Sequence, residues 1–272
     1  MTAVPAHVSA DALPLSEVAV PDSKQLLEEL GGPPPLWRWL GTPALLAGAC
    51  LALYFYVSGR ELDRIEAPNL NADFIRQKVV EHVQLTLVST ALVILIAVPL
   101  GVLLTRPTAR RFAPAFLAVA NIGQAVPSIG VLALLAITVG IGFDKAIYAL
   151  VLYATLPVLR NTMVGLDQVD RSLIEAGRGM GMSTLGLLRR VELPLSVPVM
   201  LAGIRTALVI NVGTAALATF VGAGGLGFLI DQGNRFDRPT VLLTGSVLTA
   251  VLALLLDWVA GIVEDLLRPK GL

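Results

Sequence analysis

The six residues from Gly222 to Gly227 match G-x-G-x-x-G, a pattern whose glycines can cradle the phosphates of a dinucleotide. That chemistry requires a β-strand before the glycines, whereas here an apolar run of helix length precedes them. We therefore expect a flexible turn after a membrane span, which allows close helix packing or forms a gate. Its glycines are Gly222, Gly224, Gly225 and Gly227. The chain contains no G-x-x-x-x-G-K-[ST] sequence, the motif whose backbone amides and lysine hold the phosphates of a nucleotide.

Polar side chains also lie within apolar runs. Asn121, Gln124 and Ser128 recur at helical spacing around Pro127, which removes a backbone donor and should kink the helix. Polar groups at this depth face protein or a water-filled passage rather than lipid. Two interpretations stay open, namely hydrogen bonds between helices or the lining of a translocation path. Asn211 and Thr214, in a later run, are candidates of the same kind.

Two opposite charges lie inside separate apolar runs. By helical rise, Arg205 lies about 13 Å and Asp257 about 9 Å from the same membrane surface. An unpaired charge at this depth is costly, so we predict a direct or water-mediated contact between them. The alternative is that Arg205 extends to the lipid headgroups.

The elements that position these residues are membrane spans. Of the 272 residues, 55% are hydrophobic and only 15% are charged, and the mean hydropathy is +0.77. This composition with repeated long apolar runs indicates an all-α membrane protein, since a helix satisfies its own backbone in lipid. The net charge of zero gives no reason to expect nucleic-acid binding, and no metal-ligand spacing occurs. The six predicted spans are Leu40–Val57, His82–Thr105, Ala115–Phe143, Ala146–Leu159, Ser196–Val221 and Val241–Val263.

The first residues differ from the rest, because they are rich in proline and acidic residues. We expect residues 1–39 to form a disordered cytoplasmic tail, with a short helix at Ser23–Leu30 and an interface anchor at Trp37–Trp39. Lysine and arginine are more frequent in the loops on the side of the amino terminus. This bias predicts that both termini are cytoplasmic, and it places the stretch before the fifth span inside and the glycine turn outside.

That cytoplasmic stretch, residues 170–194, contains two amphipathic pieces. Asp170 can cap a short helix, the glycines that follow permit a sharp turn, and Ser183 or Thr184 can cap a second helix that Pro194 ends. Leu185, Leu188 and Val191 should form one apolar face. The stretch is either a connector at the membrane surface or an element that docks on another cytoplasmic protein.

The order of residues resembles the signature loop of binding-protein-dependent ABC importer permeases: Glu-Ala-Ala, three residues, Gly, nine residues, Ile, one residue, Leu-Pro. Here Gly177 replaces the second Ala and Val191 replaces Ile. In that family the loop docks on the ATPase subunit. The resemblance therefore implies docking by Glu175, Ala176, Gly177, Gly181, Val191, Leu193 and Pro194.

Three segments, residues 153–183, 191–209 and 220–230, resemble the osmoprotectant branch of these permeases, which imports glycine betaine, choline, carnitine or proline betaine. The resemblance covers about residues 80–267. It implies a type I importer fold, with a permease core at 81–267 after an extra helix and outer loop at 40–80. It also implies a non-enzymatic subunit of the bacterial inner membrane that carries no cofactor itself. The implied partners are ATPase subunits holding ATP and magnesium, a second permease subunit (identical or paralogous) and a separate substrate-binding protein.

Three alternatives stay open. The first is a permease of the same class for another small solute, such as an amino acid. The second is a channel or secondary transporter that works alone, which would have no reason to keep the signature loop. The third is a structural membrane scaffold.

Overall fold

The computed structural model describes residues 36–267, with side chains from residue 39 onward. The predicted tail with its short helix, and the side chains of Trp37 and Arg38, lie outside the described residues. Within the described range the regular elements are all helical. Eleven α-helices lie in this range, and one of them is the single turn Glu66–Asn69. The other ten, labelled here α1 to α10, are Leu36–Ser58, Ala72–Thr105, Ala113–Ala125, Ser128–Thr138, Phe143–Asp167, Arg171–Gly179, Thr184–Leu187, Leu193–Leu217, Gly227–Arg235 and Pro239–Leu267.

Five helical runs are long and apolar enough to cross a membrane, namely Trp39–Ser58, Ala72–Thr105, Phe143–Asp167, Thr184–Val221 and Pro239–Leu267. A sixth crossing is possible only if α3 and α4 together form one span, and these two helices meet at an angle of 97°. The prediction of about six spans is therefore met by five long helical runs and one broken pair. The kink predicted at Pro127 within the third span, Ala115–Phe143, is present as a full break between α3 and α4, and α4 ends at Thr138.

Hydropathy placed some helix ends wrongly. α2 begins ten residues before the predicted His82, where the Asn71 side chain accepts a hydrogen bond from the Asp73 amide at 2.9 Å and caps the helix. Its 34 residues rise about 51 Å, more than the roughly 30 Å hydrocarbon core requires. The polar first turns of α2 are thus helical but need not lie in lipid. α5 likewise runs eight residues beyond the predicted end at Leu159.

The core forms where α5 lies between α2 and α8. Val93 and Ala97 of α2 are completely buried against Ala154 and Val158 of α5. Small residues set the helix spacing: a Cβ on Gly101 would lie 2.7 Å from the Thr162 side chain. Close backbone approach of this kind is typical of helix packing in membranes.

Candidate functional site

Residues 170–194, called here the signature loop, form two helices joined by a tight turn. The Asp170 side chain caps α6 by accepting a hydrogen bond from the Ser172 amide at 2.8 Å. This bond lowers the pKa of the Asp170 carboxyl, because it stabilises the charged form. Gly181 has φ +80°, a backbone conformation that favours glycine, and the Ser183 hydroxyl then caps α7. Both caps and the turn are placed as the sequence predicts.

The second helix of the loop does not stop at Pro194. A π-helical turn at Leu188–Glu192 connects α7 to α8, so helix continues from Thr184 to Val221. Pro194 lies in the first turn of α8, where a missing backbone donor is tolerated. The predicted helix end at Pro194 is therefore wrong, because the widened turn accommodates the proline without a break.

One side of the signature loop is buried and the other is exposed. A Cβ on Gly177 would lie 2.6 Å from Leu187 Cδ1. The glycine that replaces the second Ala of the signature pattern therefore makes room for the buried Leu187. Of the predicted apolar face, Leu185 is exposed, while Leu188 and Val191 are half-buried. The exposed side also carries Leu173, Met180, Glu175, Ala176 and Pro194, and Leu193 is half-buried.

The end of the loop is tied to α2. Arg106, which caps the end of α2, donates from Nη2 to Glu192 Oε2 at 2.5 Å. Glu192 is buried in the π-helical turn. A second pair, Arg110 with Asp167 at 3.4 Å, is exposed on both sides and adds little. The Arg106–Glu192 pair was not predicted, because nothing in the sequence relates positions 86 residues apart.

The glycine turn, Gly222–Gly227, lies towards the opposite end of α2 and is hydrogen-bonded to it. Glu81 Oε2 accepts a hydrogen bond from the Gly225 amide at 2.9 Å. Gly224 has φ +79°, and a Cβ there would lie 2.3 Å from Glu81 Oε2. A Cβ on Gly227 would lie 1.7 Å from the Ala216 carbonyl oxygen. The glycines thus serve close packing, and φ is positive at Gly222, Gly224 and Gly225.

His82 of α2 makes a second hydrogen bond to the glycine turn. The Leu226 amide donates to His82 Nδ1 at 3.2 Å, and His82 Nε2 lies 2.9 Å from the Val212 carbonyl oxygen. Since a carbonyl only accepts, the ring carries its hydrogen on Nε2 and is neutral. One sequence signal could have found this residue: His82 is one of only two histidines, and it lies at the start of an apolar run.

The spacing of three and four residues predicts that Asn121, Gln124 and Ser128 share one helix face. In the structure these polar residues around the break between α3 and α4 do not share one face. Asn121 is exposed and bonds within its own helix, to the Leu117 carbonyl at 2.8 Å. Gln124 donates to the Tyr153 carbonyl of α5 at 2.8 Å. Ser128 begins the second helix of the pair, so the 97° bend separates it from the other two. The shared-face prediction is therefore wrong for Ser128, and a role in the path stays a prediction for all three.

Asn211 and Thr214 are both buried in α8. Asn211 Nδ2 donates to the Thr90 hydroxyl of α2 at 3.0 Å, while its Oδ1 has no partner among the described residues. This bond between helices matches the first of the two interpretations for Asn211. A role of either residue in the translocation path remains a prediction.

Arg205 and Asp257 face each other between α8 and α10. Arg205 Nη2 donates to Asp257 Oδ2 at 2.6 Å, and Nε donates to Oδ1, which makes the pair bidentate. Glu264, about two turns further along α10, lies 3.7 Å from Arg205 Nη1 and was missed from the sequence. The signal that could have found it is its spacing of seven residues from Asp257, which places both on one side of the helix.

Comparison with known proteins gives relatives over most of the chain. It is 40% identical over 202 residues to the glycine betaine/carnitine/choline transport system permease protein OpuCB of Bacillus subtilis, covering 74% of this chain and 92% of the relative. It is 42% identical over 207 residues to the osmoprotectant import permease protein OsmY of Salmonella typhimurium, covering 76% of this chain and 86% of the relative.

Solved structures share the fold. A chain of the MetNI methionine ABC transporter in an inward-facing conformation matches with a TM-score of 0.63 and 28% identity, over 72% of this chain and 96% of that one. An amino acid ABC transporter solved with histidines matches at 14% identity and a TM-score of 0.61, over 76% of this chain and 99% of that one. The expected type I importer fold is confirmed.

Residues 97–269 match the family described as the binding-protein-dependent transport system inner membrane component. This range includes the whole signature loop, α8 and the glycine turn. The chain therefore belongs to the family of binding-protein-dependent transport system inner membrane components, the non-catalytic permease subunits of ABC importers.

Proposed function

We propose that this chain is the permease of an ATP-driven importer for osmoprotectants that carry a quaternary ammonium group, such as glycine betaine, carnitine, choline and proline betaine. The observation that carries the proposal is 40% identity to a glycine betaine/carnitine/choline permease over 92% of that relative. Its partners are two ATPase subunits, which hold ATP and magnesium, a second permease subunit and a separate binding protein. Both termini and the signature loop lie in the cytoplasm, and the glycine turn lies outside.

The signature loop supports the docking of an ATPase. Its exposed side carries Leu173, Met180 and Leu185 next to Glu175, whereas its other side is packed beneath Gly177. Leu173 and Met180 lie outside the candidate membrane spans, and Leu185 lies at the very start of one. An apolar helical surface in this position is suited to a groove on a partner protein. ATP binding by that partner drives the switch between inward- and outward-facing states only if it binds the two states differently.

Uptake in cells tests the solute class. The permease is expressed with its ATPase and binding protein in a bacterial strain that lacks osmoprotectant uptake, and accumulation of labelled choline or glycine betaine is measured. We expect accumulation that needs ATP and that excess methionine does not reduce. Accumulation of methionine or histidine, with none of the quaternary ammonium solutes, would instead favour the amino-acid alternative that two solved structures suggest.

A charge on the exposed side of the loop tests docking. Leu185→Asp should reduce solute-stimulated ATP hydrolysis by about tenfold or more, because a carboxylate replaces an apolar contact at the centre of an interface. Phe112→Asp is the matched control, since Phe112 is also exposed at this end of the bundle but lies outside the signature loop. Equal activity of the two variants, both correctly inserted, would contradict docking through this surface.

A further inference from the structure

A cluster of three charges lies between the two last membrane-spanning helices. Arg205 of α8 is bound bidentately by Asp257 of α10, and Glu264 lies 3.7 Å from its other terminal nitrogen. Within the described residues these side chains remain partly accessible, with 40% of Arg205, 32% of Asp257 and 30% of Glu264 exposed. The cluster has therefore not been closed off by this chain's own packing.

The depth of the cluster decides what it can face. Arg205 is twelve residues from either end of α8, and Asp257 is ten residues from the end of α10, so both lie about 15 Å or more along the helix from those ends. Glu264 is only three residues, about 5 Å, from the end of α10. Charged side chains at such depth face protein or a water-filled cavity, because exposure to hydrocarbon is costly. An ion pair that served only to hold the two helices together could be fully buried between them. Partial exposure leaves the three side chains accessible from outside this chain, to a solute or to a second subunit.

The charges are complementary to one kind of solute. One guanidinium and two carboxylates can receive a molecule that carries both a carboxylate and an ammonium group. The planar guanidinium binds a carboxylate through two parallel hydrogen bonds, as it already does with Asp257. Gly261 faces Arg205 without a side chain, and a Cβ there would lie 3.5 Å from Nη1. That distance is ordinary van der Waals contact, so the α10 backbone lies close beside the guanidinium.

We propose that Arg205, Asp257 and Glu264 form a solute site within the membrane that selects zwitterionic quaternary ammonium compounds. The carboxylate of the solute replaces Asp257 on Arg205, and its ammonium group is held by the two carboxylates of α10. This proposal rests on the proposed function, since it assigns a site to the same solutes. It also distinguishes among them, because glycine betaine carries both charges and choline carries only the cation.

The test compares the uptake of glycine betaine and choline by the complete transporter. Arg205→Gln should lower betaine uptake at limiting concentration by about tenfold, the loss of roughly one hydrogen-bonded charge contact. Choline uptake should fall far less, because choline does not use the guanidinium. Glu264→Gln should raise the KM for both solutes. Arg235→Gln, at the other end of the bundle in a surface pair with Asp231, is the matched control and should change neither.

A second variant guards against misfolding, since Arg205→Gln leaves Asp257 without its cation. Arg205→Gln/Asp257→Asn removes both charges together and should retain insertion while losing the preference for betaine over choline. If betaine and choline uptake fall by the same factor in every inserted variant, the cluster is structural and the proposal is overturned. If the unaltered transporter takes up neither solute, the proposed function fails instead.

Discussion

At the scale of single residues, two glycines of one helix provide a matched comparison. A Cβ on Gly203 of α8 would lie 2.6 Å from Asn161 Cβ and 2.9 Å from the Pro157 carbonyl oxygen, whereas a Cβ on Gly213 meets nothing within 4 Å. Gly203→Ala should destabilise the permease by roughly 1–3 kcal/mol, because α5 and α8 must separate. Gly213→Ala should be neutral or stabilising by about 0.5–1 kcal/mol.

The measurement is the thermal unfolding midpoint of each purified variant in the same detergent. The two variants share one chemical change in one helix, so helix propensity cannot explain a difference between them. A Gly203→Ala midpoint equal to that of Gly213→Ala would contradict the close packing of α5 against α8.

Local signals at this scale were readable from the sequence, and long-range ones were not. Asp170 and Ser183 cap helices within three residues of themselves, so their types and positions were sufficient. Glu81 and His82 bind a turn 144 residues away, and the sequence does not state which helix will lie beside which. The glycine pattern indicated a turn, but the hydrogen bonds between that turn and α2 depend on tertiary packing.

At the scale of elements, two prolines explain how the broken pair α3 and α4 is held. Pro157 has no amide hydrogen, so the Tyr153 carbonyl four residues earlier lacks its helical donor, and the Gln124 side chain supplies one at 2.8 Å. At the break beside Pro127, the Val126 carbonyl instead accepts from the Tyr153 hydroxyl. The free carbonyl of α5 thus receives a hydrogen bond from a side chain of α3, and the free carbonyl at the break receives one from a side chain of α5.

A double-mutant cycle tests this exchange. Gln124→Leu alone should destabilise the permease by about 1–3 kcal/mol, because it leaves a carbonyl without a partner. In the Pro157→Ala background the new amide can serve that carbonyl, so Gln124→Leu should cost clearly less. The cycle is followed by chemical or thermal unfolding of the four purified proteins. Purely additive effects would show that Gln124 does not act on the carbonyl freed by Pro157.

The sequence predicted the position of the break but not its size. Pro127 was sufficient to indicate a discontinuity in the third apolar run. The 97° angle depends on which side chains receive the freed backbone groups, and these come from α5. Hydropathy also treated the polar first turns of α2 as loop, since a helix beyond the hydrocarbon has no apolar run to reveal it.

At the scale of the whole molecule, α2 and the residue that caps it contact both the signature loop and the glycine turn. Arg106 at one end binds Glu192 of the signature loop, and Glu81 and His82 near the other end bind the glycine turn. Glu192→Gln should weaken this connection and lower solute uptake per ATP hydrolysed in reconstituted vesicles, because a neutral amide binds the guanidinium less strongly. The stability loss should be roughly 1–3 kcal/mol.

Asp167→Asn is the control for this variant. Its partner Arg110 lies 3.4 Å away and both side chains are exposed, so the change should cost only about 0–1 kcal/mol and leave the uptake per ATP unchanged. Comparable losses in the two variants would show that the effect comes from general charge at this end rather than from the Arg106–Glu192 pair.

The unbroken helix from Thr184 to Val221 has a mechanical consequence. Its 38 residues rise about 57 Å, from the turn of the signature loop to the residue before the glycine turn. If this run tilts as one body by about 5° around one end, its other end moves by about 5 Å. Because the helix is continuous past Pro194, we expect a displacement at the signature loop to be accompanied by a displacement at the glycine turn.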